Sequence, residues 1–209
     1  MIRLLAVLTI LGSTCLAKER PAPGVIGPSD LEGFGDLDPA RQRLVLVALE
    51  ETERLKLSKY VARSADPGEG GFDCSGSMFY LLKKIGLEPA RSSAAQYEWI
   101  KKKGEMHEVP QGTASLDDDA FAELKPGDLL FWAGTYQAKD GRKNKITHVQ
   151  MYLGREKNSG PVMVGSSDGR SYRGQARCGF GVFDFRLPRK GSKARFVGYG
   201  TPPGLVGGQ

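Results

Sequence analysis

Histidine is scarce in this sequence: two among 209 residues, His107 and His148, beside three cysteines, Cys15, Cys74 and Cys178. Any chemistry that needs an imidazole next to a thiol therefore has two candidate bases. There is no internal repeat, no heptad run and no GKS or GKT phosphate loop, which argues against a solenoid, a coiled coil and a P-loop nucleotide hydrolase. No recognition-helix or RNP-like pattern accompanies the net charge of +6, so nucleic acid is not an expected partner. The basic residues are spread over Lys101 to Lys103, Arg142 to Lys145 and Arg186 to Lys193, as on solvated loops and faces. The acidic triplet Asp117 to Asp119 lacks the glycine, spacing and terminal glutamate of a calcium loop. It reads as a helix start or solvated turn, and no metal or other cofactor is expected.

What is present suits one globular domain, with 40% hydrophobic and 26% charged residues and length enough for a core. Residues 1–17, with a lone Arg3, an apolar run and small residues near Ala17, read as a secretory signal peptide cleaved after Ala17. The run is too short to span a bilayer comfortably. A lipoprotein anchored through Cys15 is the alternative, but the Gly-Ser-Thr before that cysteine fits a lipobox poorly. Residues 18–37 read as a linker or wrapping arm, 38–204 as the domain and 205–209 as a tail. Removing the signal leaves Cys74 and Cys178, which either form one disulfide in an oxidising compartment or leave Cys74 as a free thiol.

The domain's organising stretch is GGFDCSGSMFYLLKKIG, Gly70 to Gly86, where an extended run turns into a helix at a cysteine. The unpartnered N–H groups and dipole of a helix starting near Ser75 favour negative charge on Cys74, and Met78, Phe79, Leu81, Leu82 and Ile85 give that helix its apolar face. Cys74 is the candidate nucleophile. His148 is the candidate base, on the alternating strand ITHVQMYLG, where it shares a face with Gln150 and Tyr152. His107 lies in a charged loop and reads as a surface residue. A helix from Asp38 and Pro39 to about Leu55 precedes this stretch, and another capped by Ser92 or Ser93 ends before Gly104. Residues 104–122 look irregular. Five strand signals follow: 128–132, 146–153, 162–166, 181–185 and 195–199. Helices first and strands after predict an α+β domain with an antiparallel, barrel-like sheet.

FDCSG at 72–76, LKPGDLLFW at 124–132 and HVQMYLG at 148–154, in that order, resemble the NlpC family of papain-like cell-wall cysteine peptidases. The resemblance covers roughly Lys59 to Gly200. It implies N-terminal helices packed on a five-stranded antiparallel sheet. It also implies a Cys-His thioester mechanism and a peptidoglycan stem peptide as substrate, cut between D-glutamate and the following diamino acid. Tyr60 would line the substrate cleft, Asp73 and Ser75 would bind a free substrate amine, and Arg91 would meet a substrate carboxylate. Each has a plainer reading: half-buried aromatic for Tyr60, helix cap for Asp73, and a tie between its helix and the preceding loop for Arg91. The chain would act as a monomer, secreted or periplasmic, without stable membrane insertion. It departs from the family pattern at the residue that orients the histidine, where Gly165 stands. Ser167 is the favoured replacement, with Gln150 or a backbone carbonyl or water as the others. A thiol amidase or acyltransferase on a non-wall substrate, and a non-catalytic wall-binding domain, remain as alternatives.

Overall fold

The computed structural model describes residues 21–205; the expected signal peptide and Cys15 lie outside them. Helix α1 (Pro39–Arg54) starts where Asp38 accepts from the Ala40 and Arg41 N–H groups and Pro39 takes the first turn, as an N-cap and N1 proline should. It buries Leu44, Val45, Ala48 and Leu49. Arg41 is buried with them and donates to Asp128 at 2.8 Å, the Pro126 carbonyl at 2.7 Å and Thr201 Oγ1 at 3.0 Å. Thr201 in turn donates to Asp128 at 2.8 Å, so the buried charge is paired and hydrogen-bonded.

Two short strands, β1 (Lys59–Tyr60) and β2 (Gly71–Phe72), pair in parallel and lead into α2 (Cys74–Lys84). Helix α3 (Ser93–Lys103) is capped by the Ser92 hydroxyl. Strands β3 (Glu105–Glu108), β4 (Leu129–Ala133), β5 (Ile146–Glu156) and β6 (Gly160–Ser167) follow. A small hairpin of β7 (Ser171–Tyr172) and β8 (Gln175–Ala176) precedes β9 (Gly179–Asp184) and β10 (Arg195–Thr201). The main sheet is wholly antiparallel in the order β3-β10-β4-β5-β6-β9.

All five strand signals lie in this sheet, but it has six strands. The extra one, β3, falls in the stretch expected to be irregular and is recruited by pairing with β10, which the polar run Glu105–Glu108 does not announce by alternation. The sheet is also open rather than a closed barrel: β3 and β9 are its two ends. Residues before α1 cover the β9 edge, with Gly24 and Val182 exchanging two backbone hydrogen bonds at 3.0 and 2.8 Å, and Ile26 and Leu31 join the core. Strand edges left bare invite pairing with other chains.

Apolar side chains fill both faces of the sheet, so β4 is buried throughout. One face, with Phe131, Val149, Met151 and Val164, meets the helices; the other carries Leu130, Trp132, Met163 and Phe183. The β5–β6 ladder runs from Glu156–Gly160 to Met151–Val164 and stops. Beyond that point β6 bonds to the α2 region instead: the Ser166 N–H donates to Ser77 Oγ at 3.0 Å and its hydroxyl to the Phe72 carbonyl at 2.7 Å.

The first turn of α2 is held equally closely from the other side, where a Cβ on Gly76 would collide with the Ser64 backbone carbonyl. Gly76→Ala is therefore expected to destabilise the fold by about 1–3 kcal/mol, the usual cost of overpacking. Urea denaturation measures it, and an unchanged midpoint would contradict this packing.

Candidate active site

Asp73 caps α2. Its carboxylate accepts from the Gly76 N–H at 2.6 Å, the Ser75 hydroxyl at 3.0 Å and the Arg91 guanidinium at 3.1 and 3.0 Å. Arg91 also donates to Ser75 Oγ at 3.1 Å. Gln96, on α3, donates to the Ser75 and Ala90 carbonyls at 3.0 and 2.9 Å. Cys74, next to this network, is buried and carries a free thiol, so it does not pair with Cys178, which is engaged elsewhere.

The helix-start N–H groups expected to favour a thiolate are in place, from Cys74 and Ser75, and the Val149 N–H on β5 joins them. Burial nevertheless outweighs them: with the Asp73 charge as a smaller contributor, it pushes the thiol up to about 11. His148 is shifted the opposite way, well below the usual imidazole value, first by burial and then by the Arg170 cation. Burial thus pushes both groups toward their neutral forms.

Both groups line one cleft of about 1270 Å³ together with Tyr60, Asp73, Ser75, Arg91 and Ser167. All seven residues singled out in the sequence are therefore brought to one site. Tyr60 is half-buried, and burial, aided by the Cys74 charge, raises its phenol above the ordinary range. Arg91 does not tie its own helix to the preceding loop; it bridges to Asp73 and Ser75 at the start of α2. The loop of residues 133–145 supplies the opposite rim through Thr135, Tyr136 and Arg142.

At the orienting position, Gly165 has a φ of +156°, which disfavours any residue with a side chain. A Cβ there would press on Gln150 Cγ at 3.2 Å and Met78 Cε at 3.3 Å; the Gln150 side chain occupies that space. Alternation on β5 places His148 and Gln150 on one face, paired with Trp132 and Leu130 of β4. His148 Nε2 and both amide atoms of Gln150 are buried with no hydrogen-bond partner among the described residues. Ser167, the replacement favoured from sequence, has its hydroxyl accepting from the Gly169 N–H at 3.4 Å and does not bond to His148 Nε2.

Sequence reasoning missed Trp132 and Arg170 as site residues. The Trp132 and His148 rings lie 5.6 Å apart, a proximity set by strand register. Nothing in the local sequence marks Arg170, which a turn after β6 carries over the site. The neutral pair has two consequences for pH. Reaction of Cys74 with iodoacetamide should accelerate through pH 9 and beyond; a plateau near neutrality would show a thiolate–imidazolium pair instead. For stability, the His148 contribution is complete above its ordinary value of 6.5 and lost as pH falls, whereas that of Cys74 is complete below its ordinary value of 9.0 and lost as pH rises through about 11.

A family model described as the NlpC/P60 family matches residues 58–166, just over half of the chain. Among curated proteins, the chain is similar to the bifunctional muramidase/DL-endopeptidase CwlT of Bacillus subtilis, 30% identical over 106 residues that are 51% of this chain and 26% of that protein. It is also similar to the peptidoglycan endopeptidase RipA of Mycolicibacterium smegmatis, 30% identical over 95 residues, 44% of this chain and 14% of that protein. The chain thus spans about a quarter or less of these relatives' lengths. In fold it is similar to a lipoprotein-like NLP/P60 family protein from Staphylococcus aureus, with a TM-score of 0.50 and 23% identity over 79% of this chain and 42% of that one.

Proposed function

The chain belongs to the NlpC/P60 family, and from that premise we propose that it is a secreted cysteine endopeptidase of peptidoglycan stem peptides, cutting between D-glutamate and the following diamino acid. The observation that carries this reading is the free Cys74 thiol at the first turn of α2, facing the Val149 N–H in the cleft that the buried His148 also lines. The named activities of CwlT and RipA support the choice of substrate. Secretion rests on residues 1–17, and action as a monomer is part of the same proposal.

In this mechanism His148 accepts the Cys74 proton as the sulfur attacks the amide carbonyl, which suits a pair that rests neutral. The oxyanion accepts from backbone N–H groups at the helix start, including that of Cys74. Collapse breaks the C–N bond, with His148 returning the proton to the leaving amine. Water activated by His148 then hydrolyses the thioester and restores the thiol. Gln150 takes the positioning role that Gly165 lacks, its amide reaching Nε2 of His148 through one buried water. Asp73 and Ser75 form the cleft wall where the substrate amine would bind, with Arg91 holding both side chains in place.

The unpartnered Nε2 and the glycine at position 165 also favour a second reading, a wall-binding domain without turnover. Mass spectrometry of purified peptidoglycan fragments after incubation with the protein separates the two. New fragments from the wild type and none from Cys74→Ala, with unchanged circular dichroism, are expected; turnover by Cys74→Ala would refute the mechanism, and no turnover by either would favour binding alone. Gln150→Ala should lower kcat by up to the roughly 10²–10⁴-fold that general-base catalysis contributes, with KM little changed. An unaltered kcat would remove Gln150 from the mechanism.

A further inference from the structure

The cleft is rich in arginine, and most of that charge is already committed. Arg91 is paired with Asp73 at 3.0 Å and Arg186 with Asp184 at 3.1 Å, while Arg142 is held by Asp140 and Arg63 is exposed to solvent. Arg170 is different. It is part-buried and lines the cleft beside Cys74 and His148, yet among the described residues its side chain has neither a carboxylate partner nor a hydrogen bond. Its guanidinium carbon lies 4.0 Å from the centroid of the fully buried Trp132 ring. Stacking on an indole fixes the plane of the fork without using its in-plane N–H donors.

A desolvated cation with free, oriented donors costs stability unless something completes it. Burial lowers its pKa to about 10, so it remains charged at neutral pH. The electrostatic partner it has is Cys74, whose thiol is itself held protonated at rest. The missing complement is an anion that arrives with the ligand, and a planar fork matches a carboxylate through two parallel hydrogen bonds.

We propose that Arg170, braced on Trp132, is a carboxylate-binding subsite adjoining Cys74 and His148, and that the substrate presents a free carboxylate beside the amide that is cut. The subsite deepens the peptidase reading and names a feature of its substrate, but the site can be tested without turnover. An alternative role for the same cation, stabilising the Cys74 thiolate, makes a different set of predictions.

The experiment compares alkylation of Cys74 by iodoacetate and by iodoacetamide in the wild type, Arg170→Gln and Arg170→Lys. The two reagents attack the same sulfur, and the carboxylate of iodoacetate alone engages the fork. The iodoacetate-to-iodoacetamide rate ratio should fall about tenfold in Arg170→Gln, as expected for loss of a charge-assisted pair, and less in Arg170→Lys. The iodoacetamide rate reports that the site remains folded. Equal loss of both rates would make Arg170 a thiolate stabiliser and overturn the proposal, as would an unchanged ratio. In a second arm, stem peptides bearing a carboxylate or a carboxamide on the glutamyl residue are compared by kcat/KM, and the wild-type preference for the carboxylate should flatten in Arg170→Gln. A lowered alkylation ratio with no wild-type hydrolysis would refute the peptidase reading while leaving the subsite intact.

Discussion

The site depends on the place where β5 and β6 part. A regular ladder would continue past Met151 and Val164; instead the Ser166 N–H and hydroxyl turn to Ser77 and Phe72, and the Val149 N–H is left to face the Cys74 sulfur. The first turn of α2 thereby takes over backbone groups that would otherwise be unpaired inside the protein, which is costly. Asp73 finishes the junction from the solvent side, binding α2, Ser75 and Arg91 through one carboxylate. A thiol fixed by backbone hydrogen bonding and close packing would lose little freedom on binding a substrate, the condition for effective positioning.

Deep placement has an electrostatic consequence. Cys74 and His148 are both buried at the wall of the cleft, and burial favours the neutral form of each. The helix N-terminus does act on the thiol, but its N–H groups do not outweigh desolvation. Among the described residues, the cations near the site include Arg91, neutralised by Asp73, and Arg170, whose fork has no carboxylate partner above Trp132. The cleft therefore carries an electrostatic asymmetry at the point where chemistry would occur.

Position 165, where the family resemblance places the residue that orients the histidine, has little room for a side chain. Backbone conformation and lack of space both keep a side chain off residue 165, and Gln150 fills the volume from across the sheet. Its amide and the buried nitrogen of His148 are polar groups without partners among the described residues. Groups of that kind persist in a core when they serve a water, a proton transfer or a ligand, and here they lie on the same strand face.

The amino-acid sequence by itself determined the local features. Cap residues and periodicity located α1, α2 and α3; five strands were legible from alternation; and Cys74 and His148 stood out because thiols and imidazoles are few. These signals are short-range, carried by residues within a turn or a strand of one another. Tertiary structure decided what depends on distant partners. Strand β3 exists through its pairing with β10. The sheet remains open because its end strands do not meet, and Arg91 is spent on Asp73 eighteen positions away. Arg170 reaches the site because the turn after β6 folds back over Trp132. The sign of the thiol's shift was likewise invisible from the motif: sequence shows the helix start that would stabilise a thiolate, while burial, a property of the whole packed core, is the stronger effect.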